Sequence, residues 1–433
     1  MNKGLHLRSA TGLRRIVRLL DAPVALTYSR ILSALFGLAT APIVARALGP
    51  ADRGYVAALL AVLAISPIIL ALGVPLAIRR RVSVTASPAG VVSSARVISA
   101  IASLPGIGVA FALVETLLRD LPFGVKVAFL CGMGILPLAI SWMIDVNVLV
   151  ARKKYLRVAV VQSVQAVVFF VGVVALSVFS CVSMLSVVVL NTVSVVLTCV
   201  VAIALNPMGW TSSPTELASL LGEGCRLVGS QAAEVATHRL DQVLVLPLIG
   251  AASAGQYAIA VTIAGLPIPV AHALGASRFS EMAKAAGRSK SMLEETVGSS
   301  IMVGLTLSIA LGIASPFLIP IIFGPAFRAS IPVALIALVG SVAVVGGYVC
   351  SLALAAENRG IAMTLCQLLG LATSVLLLFL LASDFGAIGA AIASSFGFVV
   401  TLFLLMRCLR LGVRTFAFDR AMLWAGIGMI FRK

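Results

Sequence analysis

From residue 24 to residue 408 the sequence is a near-continuous series of apolar runs, most of them about 20 residues or longer. A helix of that length crosses the roughly 30 Å hydrocarbon core of a bilayer. Composition agrees: 61% of the residues are hydrophobic and 11% are charged, whereas a soluble domain carries about 25% charged residues. The chain therefore reads as an all-α polytopic membrane protein. The runs predict twelve spans, at 24–48, 55–78, 96–118, 122–151, 158–180, 182–205, 225–249, 255–275, 296–322, 330–354, 361–382 and 386–408.

The charges are lopsided, with 32 Lys and Arg against 15 Asp and Glu and a net charge of +17. In a soluble chain this balance would suggest nucleic acid. Between membrane spans it marks loops that face the anionic cytoplasmic leaflet, so membrane lipids and not nucleic acid are the expected partners. With both ends in the cytoplasm, twelve spans place 25 of the 32 basic residues inside and five outside, leaving Arg30 and Arg239 for the membrane. An odd number of spans would spoil that bias. Met1 to Leu20 is basic and amphipathic and lacks the cleavage pattern of a signal peptide. It reads as a cytoplasmic helix on the membrane surface or as a disordered tail.

A repeat divides the chain. Leu48-Gly49 followed by Gly54-Tyr55 joins spans one and two, and Ile249-Gly250 followed by Gly255-Gln256-Tyr257 joins spans seven and eight, at an offset of 201. Gln162 in span five and Gln367 in span eleven follow similar basic turns at an offset of 205. Two offsets near half the chain predict two six-helix bundles of the same orientation, related by an axis along the membrane normal. The expected segments are a basic amphipathic stretch at 1–23, a first bundle at 24–205, a cytoplasmic linker at 206–224, a second bundle at 225–408 and a basic cytoplasmic tail at 409–433.

One span breaks the apolar rule. Gln231, Glu234, His238 and Asp241 are spaced three, four and three residues apart, which stacks them on one helix face. Arg239 points about 100° from His238. Ionisable residues within a membrane face protein or a water-filled cavity. The stripe is read as cavity-lining, with interhelical glue as the alternative. Arg30, in span one, is either a snorkelling side chain or a second lumen charge. Two arginines on one cavity suit a phosphate or pyrophosphate, which guanidinium holds in bidentate fashion. Glu234, His238 and Asp241 are candidates for a coupling H⁺ or Na⁺. Asp145 either pairs with the following Arg152, Lys153 and Lys154 or forms a gating ion pair, and His272 is expected to pack or hydrogen-bond rather than carry protons.

Several classes are excluded. Seven cysteines without a CxxC pair, and only three histidines, give no basis for a disulfide framework, a zinc site or a multi-histidine metal centre. There is no Walker A motif, HExxH or nucleophile elbow. No enzymatic activity and no cofactor are expected, beyond a coupling ion.

Specific motifs resemble a known family. Ser29-Arg30-Ile31-Leu32 and Ala45-Arg46-Ala47-Leu48-Gly49-Pro50, with Asp52, Gly54 and Tyr55, resemble the first helices of polysaccharide flippases. These belong to the multidrug/oligosaccharidyl-lipid/polysaccharide (MOP) exporter superfamily. Arg239-Leu240-Asp241, Gly250, Gly255-Gln256-Tyr257, Phe323-Gly324-Pro325-Ala326-Phe327 and Gly386-Ala387-Ile388-Gly389 extend the resemblance to about residue 408. It implies two bundles arranged as a V, a cationic lumen and alternating access in a bacterial inner membrane. It also implies an isoprenoid (pyro)phosphate-linked oligosaccharide as substrate, and a polysaccharide polymerase and other assembly proteins as partners. By position Arg30 and Arg239 would be lumen charges, with Gln231 beside them in substrate binding. The stretch Trp424 to Phe431 is too short to add the extra helices of some members. A cation-coupled exporter of drugs or small solutes is the alternative within the superfamily.

Overall fold

A computed structural model describes residues 24–85, 88–210, 212–270, 290–357 and 359–412. The N-terminal segment, His272 and most of the C-terminal tail lie outside the described residues. The first helix, α1 (Val24–Leu70), is broken at Gly49, whose φ of 72° and ψ of 179° suit glycine alone. The two arms fold back on each other around this break. Val44 and Val56 share one buried cluster, and Ala41, Ala45 and Ala58 share another.

The chain continues through α2 (Val74–Val84) and α3 (Ala89–Thr116) to α4 (Phe123–Gly134) and α5 (Leu136–Ala151). The last two together occupy the one span predicted at 122–151. They meet at a 41° bend at Ile135, where Pro137 cannot continue the hydrogen-bond ladder and instead takes the first turn of α5. Next come α6 (Tyr155–Val178), α7 (Met184–Leu205) and α8 (Leu217–Ile249). The predicted linker is therefore shorter than expected, because α8 already begins at Leu217. The second half continues with α9 (Ala251–Ala264), α10 (Lys290–Ile322), a 3-10 turn (Pro325–Phe327), α11 (Ser330–Ala356) and α12 (Gly360–Cys408). α12 is a helical hairpin broken at Gly386. Its arms touch where Gly370 meets Thr401, Gly397 meets Ser374 and Gly389 meets the Leu381 carbonyl.

Among the described residues there is no strand. Eight helices are long and apolar enough to cross a membrane, or nine with the bent pair counted as one span. Two of these, α1 and α12, are the folded-back pairs. α8 is not among the eight, although its 33 residues extend about 50 Å; its polar and ionisable residues lower its hydropathy.

The repeat has a physical counterpart. Gly250 repeats the backbone of Gly49, with φ 78° and ψ 165°. A Cβ placed on Gly54 would lie 2.0 Å from the Ala251 carbonyl oxygen, and one on Gly255 would lie 1.8 Å from the Pro50 carbonyl oxygen. At the offset of 201 these two contacts are the same contact made twice, in the reciprocal pattern of a two-fold axis. Around this crossing, Ala41, Ala45 and Ala58 pack with Tyr257, Phe323 and Phe327 into a core shared by both halves. Arg46 closes the same end by donating to the Ile322 carbonyl at 2.8 Å and to that of Ile321. Gln256 donates to the Ala326 carbonyl at 2.8 Å. At the opposite, linker end, Arg81 bridges to Glu223 at 3.0 Å and to Glu216.

Asp145 does not pair with Arg152, Lys153 or Lys154. It is fully buried, 2.7 Å from the Arg96 guanidinium and 2.7 Å from the Asn206 amide. Arg96 also donates to Ser141 and to the Met208 carbonyl at 3.1 Å, and lies 4.2 Å over the Trp210 ring. Every one of these partners belongs to the first half or to the start of the linker. The pair thus fastens α3, α5 and the linker together and does not reach the second half. Removing one member of a buried pair strands the other, which costs about 3–5 kcal/mol. Arg96→Ala is therefore expected to lower Tm steeply in detergent, whereas Arg152→Ala, at an exposed residue whose guanidinium meets the Met208 sulfur at 3.7 Å, should leave Tm nearly unchanged.

Candidate functional site

α8 supplies the polar groups because it lies between the two halves. It packs on α1, α2 and α3 on one side and on α9 and α12 on the other. Glu234, His238 and Arg239 occupy its middle, and all three are solvent-exposed although protein encloses each of them on most sides. Exposure combined with surrounding protein is what a group lining an internal space would show. Gln231 lies one turn before Glu234 on the same helix.

Two clusters form along α8. In the first, three helices converge. Arg30 from α1 is exposed and near enough to Glu234 for their charges to interact. Its guanidinium is also near enough to the Tyr348 hydroxyl on α11 for the two to interact electrostatically. Arg30 of the first half is thus near two groups of the second half, Glu234 and Tyr348. In the second cluster the Asp241 carboxylate accepts from the Tyr257 hydroxyl and from the Gln242 amide at 2.7 Å. Ser394 on α12 lies 3.4 Å from that carboxylate and 2.7 Å from the Tyr257 hydroxyl. Arg239 lies between the clusters, within charge range of Asp241 and His238. The His238 ring faces Phe398 of α12 at 5.7 Å between centroids.

The stripe read from the sequence is thus divided. Glu234, His238 and Arg239 face the enclosed space, whereas Asp241 is half-buried and held by α9 and α12. Arg30 joins them across the two halves; Asp145 does not. Tyr348, Tyr257, Ser394 and Phe398 were not among the expected site residues. Tyr257 was visible in the Gly255-Gln256-Tyr257 repeat, but only as part of a turn. Tyr348, Ser394 and Phe398 lie in apolar runs and carry no local signal.

The arrangement offers two accessible guanidinium groups for an anion, one accessible carboxylate, and a second carboxylate held by hydroxyls that can accept or release a small cation or proton. This is an all-α, multi-pass membrane protein with the fold of the MOP superfamily transporters. Residues 21–275, more than half of the chain, match the family described as Polysaccharide biosynthesis protein, and the chain belongs to that family. It is similar to the lipid II flippase MurJ in an inward closed conformation, with a TM-score of 0.77 and 12% identity over 94% of this chain and 92% of that one. It is similar to an inward-facing multidrug resistance MATE transporter of the MOP superfamily, with a TM-score of 0.71 and 13% identity over 87% of this chain and 94% of that one. A third similar structure is a MOP superfamily transporter from Pyrococcus furiosus described as having a binding pocket of reverse polarity, with a TM-score of 0.63 and 13% identity over 92% and 96% of the two chains. The sequence has no match among curated proteins. At these identities the likeness to solved structures is one of fold. These structural neighbours are described as a flippase and as transporters.

Proposed function

We propose that the protein moves an isoprenoid (pyro)phosphate-linked oligosaccharide from the inner to the outer leaflet of a bacterial cytoplasmic membrane. The observation that carries this reading is the pair Arg30 and Arg239, both exposed, on helices of opposite halves. Desolvating a bare pyrophosphate costs far more than thermal energy, and guanidinium groups in a wet lumen remove that barrier. The sugar head crosses with them while the isoprenoid tail stays in lipid. Alternating access follows if the halves rock about the Gly54–Gly255 contact, opening first one closed end and then the other. Asp241, held by Tyr257 and Ser394, is the strongest position for a coupling H⁺ or Na⁺, with Glu234 and His238 nearer the substrate.

The reading uses twelve crossings in two bundles, with both ends cytoplasmic. Counting α1 and α12 as two crossings each, the bent α4–α5 pair as one and α8 as one reaches that number, and the basic bias of the loops supports the orientation.

A cation-coupled drug exporter is the competing reading, favoured by the accessible Glu234. Binding to the purified protein separates the two. An isoprenyl pyrophosphate-linked sugar is expected to raise Tm, and the rise is expected to vanish in Arg30→Ala. A Tm raised by a lipophilic cationic dye and left unmoved by the pyrophosphate lipid would favour the exporter.

A further inference from the structure

The second half carries a groove that the transport reading does not use. Between α10, α11 and α12 lies an apolar cleft of about 790 Å³. Leu338, Ala343, Leu402 and Met406 form its buried floor, and Ile309, Val339 and Phe403 form its exposed rims. The cleft lies on a different face of α12 from the candidate site. Phe398 meets His238, whereas the next residue, Val399, lines the cleft, and successive helix positions point about 100° apart.

One end of the cleft is charged. Arg407 lines it, is exposed, and has no hydrogen-bond or ion-pair partner among the described residues. Arg410, one turn on, is also exposed. Near Gly412, which also lines the cleft, Glu294 of α10 accepts from the Gly412 backbone amide at 3.4 Å. From Val399 to Arg407 the cleft follows α12 for about 12 Å, most of the roughly 15 Å depth of one leaflet.

We propose that this cleft is a binding site for an anionic phospholipid, with an acyl chain between α10, α11 and α12 and its phosphate on Arg407. Basic pockets between membrane helices select such headgroups. The tail of a transported lipid is a poorer occupant, because the cleft and the candidate site, where its head would have to sit, lie on different faces of α12. A resident lipid wedged here would brace the three helices that back the candidate site.

The test is native mass spectrometry of the full chain released from nanodiscs holding equal amounts of phosphatidylglycerol and phosphatidylcholine, with Tm confirming that each variant is folded. Wild type is expected to retain phosphatidylglycerol preferentially. Arg407→Gln is expected to lower that preference about fivefold. Val339→Trp, which fills the cleft, is expected to abolish retention of either lipid; Ile309→Trp serves if that variant does not fold. Equal retention of the two lipids by wild type, or unchanged preference in Arg407→Gln, would overturn the proposal. So would recovery, from native membranes, of an isoprenoid lipid whose retention Val339→Trp removes.

Discussion

Gly54→Ala is expected to abolish transport and lower Tm, although it adds a single methyl group. The added Cβ would sit 2.0 Å from the Ala251 carbonyl oxygen and 2.9 Å from the Gly255 amide nitrogen. Both neighbours are backbone, so no side chain can rotate away. The two halves must separate by more than 1 Å at their shared crossing, or the helices must bend. Overpacking of this kind costs about 1–3 kcal/mol, occasionally more. The same displacement would loosen the Arg46 bonds to Ile321 and Ile322 that close this end. Gly255→Ala should behave alike, because it makes the reciprocal contact. Gly108→Ala is the control: a Cβ there meets nothing within 4 Å, and both Tm and transport should hold. A Gly54→Ala protein with wild-type Tm and transport would show that the halves do not depend on this contact.

Arg239→Ala is expected to stop transport while the protein stays folded. Arg239 is exposed to the enclosed space, so its removal opens no packed core. It does leave Asp241 with less positive charge nearby, but that carboxylate keeps its bonds to Tyr257 and Gln242. A drop in transport at constant Tm would therefore report lost substrate contact. Arg239→Lys is expected to recover little, because an ammonium is a point charge and cannot hold a phosphate in bidentate fashion. Full transport by Arg239→Ala would remove this residue from the site, and full transport by Arg239→Lys would remove the bidentate contact.

Much of the fold could be read from the sequence because a bilayer allows few choices. Runs of about 20 apolar residues must be helices, and the two folded-back helices break at Gly49, between predicted spans one and two, and at Gly386, the first residue of predicted span twelve. Gly49 and Gly250 could be paired by their offset alone, and their matching backbone angles give that pairing a physical meaning. The early start of α8 was not legible, since it depends on which neighbours a helix end packs against, whereas the bend at Ile135 has a cause visible in the sequence, Pro137. The site was legible where charge is out of place, at Arg30, Glu234, His238, Arg239 and Asp241. Its supporting groups were not, because Tyr257, Tyr348 and Ser394 are unremarkable in an apolar run until the fold brings them to a charged partner. Asp145 shows the opposite error: the nearby basic cluster was the obvious partner in sequence, yet Arg96, 49 residues earlier, is the one in contact.

Leaflet sidedness of the lipid-linked oligosaccharide is the decisive measurement. A membrane-impermeant sugar probe would be applied to cells lacking this protein, and to the same cells carrying wild type or Arg239→Ala. The proposed flippase predicts glycan trapped on the cytoplasmic leaflet without the protein, returned to the outer leaflet by wild type, and still trapped with Arg239→Ala. Unchanged sidedness in cells that lack both this protein and any redundant flippase would contradict it and move the function to export of small solutes.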